Sequence, residues 1–209
     1  MKALNKNTQD AITPADSLQR LKDGNARFVA DKPVSRDLLE QVKDTTKGQW
    51  PHAIVLSCVD SRVPAEIVFD QGIGDIFSAR VAGNSVNEDI LGSMEYACKV
   101  AGSKLVVVLG HTSCGAVSAA CDDVMLGNIT PLLAKIRPSV AAVAEPANPA
   151  ERTSANKTFV NNVVAKNVEL AIQNIHLHSA ILKEMDDNNE IDIVGAVYNI
   201  ADGSVSFMN

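Results

Sequence analysis

The sequence predicts an α/β fold in which helices flank a central, mostly parallel β-sheet and an antiparallel strand closes its C-terminal edge. Short apolar segments, typical of strands that are covered on both faces, alternate with helix-like amphipathic segments. Aromatic residues make up only 4% of the chain, so Val, Ile, Leu and Ala must build the core, as they do in parallel sheets. A Gly-containing turn near the C-terminus favours a final strand reversal.

Length and charge exclude several classes of protein. The 209 residues are enough for one domain, and 46% hydrophobic and 21% charged residues are ordinary for a soluble protein. The net charge of −6 and the absence of a basic run argue against nucleic-acid and membrane-surface binding. Residues 1–16 are polar and lack a signal-peptide core. We therefore expect a cytoplasmic protein, or a periplasmic one if a leader has been removed.

The N-terminal part predicts two helices with little core of their own. Thr13 and Pro14 are typical of the start of a helix, which we place over residues 14–30. A more polar helix is predicted over residues 36–47. Such a pair must pack on something else, either its own domain or a second subunit.

A single domain is therefore expected to have two parts, an N-terminal helical arm at about residues 14–48 and an α/β core at residues 53–209. Strands of the core are predicted at 53–56, 76–81, 104–109, 191–200 and 204–208. Helices are predicted at 64–69, 87–101, 116–126, 129–143 (interrupted by prolines) and 158–185.

Polar motifs follow two of the predicted strands directly. Cys58 follows the first strand, and His111 and Cys114 follow the third. Ligand sites of parallel sheets lie at the carboxyl ends of the strands, so these side chains should share one edge. Two thiolates and one imidazole fit Zn(II), and three protein ligands are typical of a catalytic zinc site with its fourth position open.

The other His and Cys residues do not extend this set. His176 and His178 are two positions apart, which places them on nearly opposite faces of a helix and prevents chelation. His52 is isolated and is expected to be exposed. Cys98 and Cys121 lie in helical patterns and are expected to be small buried hydrophobic residues.

Asp60 and Arg62 lie beside the first Cys and suggest how such a site works. Asp60 can accept a hydrogen bond from a metal-bound water and orient it. A bidentate pair with Arg62 would keep Asp60 ionised, oriented and off the metal. If that pair broke, Asp60 could become the fourth ligand and close the site.

These motifs resemble those of the β-class carbonic anhydrases. The segment Cys58-Val-Asp-Ser-Arg-Val-Pro64 is similar to the first signature of that family. Gly110-His-Thr-Ser-Cys-Gly115 resembles the second, and Arg80-x-Ala-Gly-Asn84 matches a third familiar segment. The resemblance extends from about Leu18 to the end of the chain.

The resemblance implies a specific enzyme. It implies one Zn(II) per chain, bound by Cys58, His111 and Cys114, with Asp60 and Arg62 as the catalytic dyad. It implies reversible hydration of carbon dioxide to bicarbonate and a proton by zinc-bound hydroxide. It also implies a homodimer whose N-terminal helices wrap the partner, with a tetramer of two dimers as the larger alternative.

The resemblance further suggests five substrate-binding positions. The side-chain amide of Gln49 would bind substrate across the dimer interface. Phe77 and Tyr96 would line an apolar pocket. Ala82 replaces a Val that often lines the same pocket, which would leave more room. The Gly115 amide would donate to bicarbonate.

Other functions remain open on the sequence alone. Carbonyl sulfide or carbon disulfide hydrolysis would use the same scaffold and nucleophile. A zinc-stabilised module without catalysis is a further alternative, in which metal removal unfolds the protein. A redox role for Cys58 and Cys114 is weaker, because they do not form a Cys-x-x-Cys motif.

Overall fold

A computed structural model describes residues 2–208 of the chain. At its centre is a five-stranded sheet with the strand order β2-β1-β3-β4-β5. The strands are Ala53–Ser57 (β1), Ile76–Arg80 (β2), Leu105–His111 (β3), Asp192–Tyr198 (β4) and Val205–Phe207 (β5). The first four strands run parallel, and β5 pairs with β4 in the antiparallel direction. The predicted fold class is confirmed.

Helices cover both faces of the sheet. The α-helices are Lys6–Asp10 (α1), Pro14–Val29 (α2), Leu38–Asp44 (α3), Ala65–Val68 (α4), Glu88–Glu95 (α5), Gly115–Cys121 (α6), Ile129–Ala134 (α7), Arg137–Ala142 (α8), Lys157–His178 (α9) and Ala180–Asp187 (α10). Short 3₁₀ turns span Ala82–Asn84 and Pro149–Glu151, and a π-helical turn at Tyr96–Val100 continues α5. Between residues 2 and 208, none of these helices has the length and apolar character needed to cross a bilayer.

The two central strands, β1 and β3, are buried along their whole length, which makes them a rigid frame for the loops at their carboxyl ends. Successive side chains of a strand point to opposite faces. Ile54 and Val106 accordingly pack in a cluster with Val168 of α9, whereas Val55 and Val107 pack on the other face. Each fully buried aliphatic side chain contributes about 1.5–3 kcal/mol to folding.

The N-terminal helices pack on their own chain. Thr13 starts α2 as predicted, in a capping box with Asp16, and Leu21 of the same helix is completely buried in the core. The second helix is shorter than the predicted 36–47, because Asp37 caps it and Arg36 is drawn into a buried ion pair instead. The outer face of α3 is apolar and exposed.

The prediction of one continuous helix over residues 158–185 is wrong. The helix is broken at Ser179, whose backbone is extended between α9 and α10. The Ser179 hydroxyl accepts a hydrogen bond from the Leu182 amide and donates one to Glu95. The serine therefore caps a new helix, and this lets the chain turn over the end of α5.

The expectation that His52 is exposed is also wrong, since His52 is only 1% exposed. Its Nδ1 atom lies 2.7 Å from the Ser17 hydroxyl, and Nε2 lies 3.1 Å from Oε1 of Gln71. The Gln71 amide nitrogen donates to the Phe69 carbonyl, so Oε1 faces the ring and accepts from Nε2–H. Burial lowers the pKa of His52, and the neutral ring fixes α2 on the sheet.

Candidate metal centre and active site

The three predicted ligands converge at the carboxyl edge of the sheet. Cys58 directly follows β1, His111 ends the neighbouring β3, and Cys114 precedes α6. The two Sγ atoms lie 4.0 Å apart, and one donor atom from each of the three residues lies within 4.8 Å of the others. All three side chains are buried.

The loop between His111 and Cys114 is held in a tight turn. Ser113 has a positive φ of 56°, a left-handed conformation that reverses the chain locally. Thr112 donates its amide to the Tyr198 carbonyl, and its hydroxyl accepts from the Ile200 amide. These bonds fix the loop to the end of β4 and bring Cys114 back beside Cys58.

The His111 ring is oriented by its own backbone neighbour. Nδ1 lies 3.0 Å from the Thr112 carbonyl, which can only accept, so Nδ1 carries the proton. Nε2 is then the nitrogen with the free lone pair. It is buried and has no hydrogen-bond partner within the described residues. Such an unpartnered atom is rare in a folded protein unless it binds an ion or water.

The two thiols share a negative charge. Hydrogen bonding from Cys114 lowers the pKa of Cys58, with further help from the Gly83 amide, which lies 3.3 Å from Cys58 Sγ. The Cys58 thiolate, together with burial, raises the pKa of Cys114. A bound dication would remove this penalty and make both sulfurs thiolates.

The donor set fits zinc. A tetrahedral zinc ion with Zn–S bonds of about 2.3 Å holds two sulfurs roughly 3.8 Å apart. The Cys58–Cys114 separation of 4.0 Å is close to that value. Two sulfurs and one imidazole nitrogen are also the ligand types that zinc prefers. The residues present therefore suit a zinc ion with three protein ligands and an open fourth position.

Asp60 and Arg62 form a bidentate pair at the rim of this cluster. Nε of Arg62 donates to Asp60 Oδ1 at 2.9 Å, and Nη2 donates to Oδ2 at 2.7 Å. Oδ2 lies 3.9 Å from His111 Nε2. The bonds from Arg62 hold the pKa of Asp60 well below its usual range. Asp60 is thus an ionised carboxylate beside the Cys-His-Cys cluster. Its hydrogen bonds come from Arg62 and not from the three ligand candidates.

Arg80 has a positioning role that the sequence patterns did not predict. Its guanidinium donates to the Cys58 carbonyl at 3.0 Å and to the Asp60 carbonyl at 2.6 Å. Arg80 ends β2, opposite Ser57 in the register of the sheet. The segment Arg80-x-Ala-Gly-Asn84, which matches a familiar family segment, was the signal available in the sequence.

Comparison with known proteins agrees with this geometry. The family model described as carbonic anhydrase matches residues 53–205. A carbonic anhydrase of Mycolicibacterium smegmatis is 36% identical over 198 residues, which cover 92% of each chain. Carbonic anhydrase 2 of Mycobacterium tuberculosis is 36% identical over 191 residues, covering 91% of this chain and 90% of that one. The chain belongs to the β-class carbonic anhydrase family.

Solved β-carbonic anhydrases share the fold. The CafA enzyme of Aspergillus fumigatus superposes with a TM-score of 0.68 at 22% identity, covering 93% of this chain and 90% of that one. A tetrameric β-carbonic anhydrase of Sordaria macrospora gives a TM-score of 0.67 at 22% identity, covering 78% and 83%. The predicted family and enzyme class are confirmed.

In this β-class carbonic anhydrase, two of the five predicted substrate residues flank the Cys-His-Cys cluster. Ala82 begins the 3₁₀ turn whose Gly83 amide contacts Cys58. Gly115 is exposed and is the first residue of α6, immediately after Cys114.

The other three lie together elsewhere on the chain. Phe77 and Tyr96 pack edge to face with ring centres 6.1 Å apart, and they line one cavity. Gln49 is exposed and lines a second cavity, which also includes Tyr96. The lining of these two cavities includes none of the three metal-ligand candidates. The single chain therefore brings together only part of the predicted site.

Proposed function

We propose that this chain is a zinc enzyme that reversibly hydrates carbon dioxide to bicarbonate and a proton. Membership of the β-class carbonic anhydrase family supports the reaction. The observation that carries the proposal is the convergence of Cys58, His111 and Cys114, with an unpartnered His111 nitrogen, beside the ionised Asp60. These three residues would hold one zinc ion per chain.

When bound, a zinc ion with one open position supplies the Lewis-acid activation that makes water a nucleophile at neutral pH. The two thiolates would offset the charge of the ion, and the neutral imidazole would add none. Asp60 accepts a hydrogen bond from the attacking water and orients it, while Arg62 holds the carboxylate from its other side. The pair thus keeps Asp60 available and prevents it from occupying the open position.

Substrate binding needs little from the protein. Carbon dioxide is apolar and small, so an apolar slot and one or two donors are sufficient. Ala82 borders this slot, and the exposed Gly115 amide at the start of α6 donates to bicarbonate.

The remaining wall of the slot comes from a second copy of the chain. We assign Gln49, Phe77 and Tyr96 to the site of the partner in a homodimer, because they lie apart from the ligand cluster of their own chain, with Gln49 and Tyr96 exposed and Phe77 partly buried beside Tyr96. The relative from Sordaria macrospora is described as tetrameric, so two such dimers would form the larger assembly.

A matched pair of substitutions tests the proposed dyad. Asp60→Asn should keep one zinc per chain but lower the rate of carbon dioxide hydration by about 10²-fold or more, because the attacking water is no longer oriented by a carboxylate. The control is Asp123→Asn, which breaks another Asp–Arg pair, with Arg137, at an Asp that is 78% exposed. This control should match the unmodified enzyme in zinc content and rate.

An unchanged rate in Asp60→Asn would remove Asp60 from the mechanism. Assaying the unmodified protein and the Asp123→Asn control for release of hydrogen sulfide from carbonyl sulfide extends the test to the alternative substrate. Zinc-replete protein that acts on carbonyl sulfide and not on carbon dioxide would replace the proposed substrate. Zinc-replete protein inactive on both would indicate a non-catalytic module.

A further inference from the structure

A chain of buried hydrogen bonds reaches Cys58 from the helices behind the site. The Gly83 amide donates to Cys58 Sγ at 3.3 Å. The Gly83 carbonyl accepts from Nδ2 of Asn167, on α9, at 2.8 Å. Oδ1 of Asn167 in turn accepts from the Ser139 hydroxyl, on α8, at 3.1 Å. Ser139 and Asn167 are only 1% and 5% exposed, so water does not replace these bonds.

The Gly83 turn depends on its neighbours for its position. Gly83 has a φ of +67°, and a Cβ atom at this residue would lie 2.4 Å from Cδ1 of Ile136. The left-handed φ and this close contact both favour glycine, which has no side chain with which to hold itself. Its two backbone polar groups are bonded to Cys58 on one side and to Asn167 on the other. Asn167 is thus the group that holds the turn against Cys58.

The Gly83 carbonyl can only accept, so it determines that Nδ2 of the Asn167 amide faces the turn. Oδ1 is then left to accept from the Ser139 hydroxyl, which fixes the far end of the amide. The opposite orientation would place Oδ1 against the carbonyl oxygen, where neither atom can donate.

We propose that Asn167 and Ser139 are positioning residues for the metal ligand Cys58, acting through the Gly83 amide. This inference rests on the proposed function, since it takes Cys58 to be a zinc ligand. An N–H donor fixes the direction of a thiolate and reduces its electron donation to a metal. Partners that orient a ligand in this way typically alter metal affinity by about 10- to 100-fold when they are removed.

A second buried asparagine provides the matched control. Asn25 is 7% exposed and donates to the carbonyls of Val68 and Gly203, while its Oδ1 accepts from the Val205 amide. It fixes α2 to the C-terminal edge of the sheet and contacts none of the three ligand candidates. A change at Asn25 therefore reports the cost of losing a buried amide without an effect on Cys58.

The experiment compares Asn167→Leu, Ser139→Ala and Asn25→Leu in the full-length chain. Each protein is loaded with Co(II) in place of zinc, and the thiolate-to-cobalt charge-transfer absorption is recorded. Zinc affinity is measured by competition with a chelator.

Asn167→Leu should move the absorption to longer wavelength and weaken zinc binding about 10- to 100-fold. Ser139→Ala should move the absorption in the same direction by less. Asn25→Leu should lower the Tm but match the unmodified protein in absorption and affinity.

The outcomes separate this inference from the function on which it rests. Unchanged absorption and affinity in folded Asn167→Leu would overturn the positioning role. If Asn167→Leu does not fold, Ser139→Ala decides, and an unshifted absorption in that variant overturns the role. If the unmodified chain shows no thiolate-to-cobalt absorption, the proposed metal site fails and this inference fails with it.

Discussion

His111 is completely buried, and its Nδ1 proton is directed to the Thr112 carbonyl, so Nε2 has no partner among the described residues. A buried polar atom without a partner destabilises a fold by about 1–3 kcal/mol. Coordination of a metal by Nε2 would remove this cost. The same ion would stabilise the negative charge that Cys58 and Cys114 otherwise share. Metal binding and local stability are therefore coupled at this cluster.

Substitution of single ligands tests this coupling. Cys58→Ser and His111→Asn should each lose zinc and carbon dioxide hydration, because two remaining ligands bind zinc far more weakly than three. His178→Asn, at an exposed histidine, is the control and should retain one zinc per chain. Zinc per chain is measured by elemental analysis of the purified proteins. Full zinc occupancy in both ligand variants would contradict the assignment.

Among single residues, those with local signals were predictable. Cys58 and His111 each follow a predicted strand closely, and Cys114 lies only three residues after His111, so their meeting at one edge followed from the sheet. The environment of His52 was not predictable, because its partners Ser17 and Gln71 are 35 and 19 positions away in the chain. The link from Asn167 to Gly83 spans 84 positions and had no local signal either.

At the scale of elements, one buried carboxylate fixes the N-terminal helices. Asp70 follows α4 and forms ion pairs with Arg27 and with Arg36. It also accepts a hydrogen bond from the Val34 amide. The Asp70 and Arg36 side chains are only 4% and 8% exposed. Burial works to raise the pKa of Asp70, but the two arginines outweigh it and lower the pKa below its usual value.

Asp70→Asn should therefore destabilise the protein in a pH-dependent way. Near neutral pH it should lower the free energy of unfolding by about 3–5 kcal/mol, because buried Arg36 loses its partner. A carboxyl whose pKa is depressed by folding stabilises above its unfolded pKa of about 4, and that contribution is lost as the pH falls further. The difference between the two proteins should thus be constant above pH ~5 and shrink below pH ~4. Urea denaturation across this range measures it.

The unmodified protein and Asp70→Asn have the same metal site. Any effect of acid on metal binding is therefore the same in both and cancels when their free energies of unfolding are subtracted. Asp10→Asn is the control, since the Asp10–Lys6 pair is exposed and should contribute at most about 0.5 kcal/mol. If the difference in free energy of unfolding between the unmodified protein and Asp70→Asn grew below pH ~4, the predicted direction of the pH dependence would be contradicted.

The boundaries of helices could be predicted where the residues that define them are neighbours in the sequence. The start of α2 at Thr13 and Pro14 was predicted correctly because both residues act within the first turn. The break at Ser179 was missed, because the apolar spacing continues through it and its hydroxyl is drawn to Glu95 on another helix. Arg36 was assigned to a helix by pattern, but its contact with Asp70 holds it outside α3.

At the scale of the whole molecule, the single chain carries two halves of a site in different places. Cys58, His111, Cys114 and the Asp60–Arg62 pair lie at the sheet edge. Gln49, Phe77 and Tyr96 form a separate group. The packing of the arm on a partner, which the family resemblance implies, remains a prediction, as does a cytoplasmic location. The sheet could be predicted from one sequence because its contacts lie within one chain, whereas contacts between copies leave no periodic signal.

Mixed dimers test whether a site uses two chains. Gln49→Ala and Asp60→Asn should each have low activity alone. After mixing and exchange, half of the dimers are mixed, and each mixed dimer has one site with both residues intact. Activity should therefore recover to about a quarter of the unmodified value per chain. The mixture is assayed after dissociation and reassembly, with each variant treated alone as the control. Recovery to no more than the average of the two variants would contradict a shared site.

The most direct test of the central claim is a stopped-flow measurement of carbon dioxide hydration by protein of known zinc content. The measurement runs from pH about 6.5 to about 9, because the pKa of a zinc-bound water is about 7 and the nucleophile forms above it. We predict rapid hydration at one zinc per chain, with a rate that rises with pH as the nucleophile forms. Protein with a full complement of zinc and no hydration at any pH in this range would contradict the account.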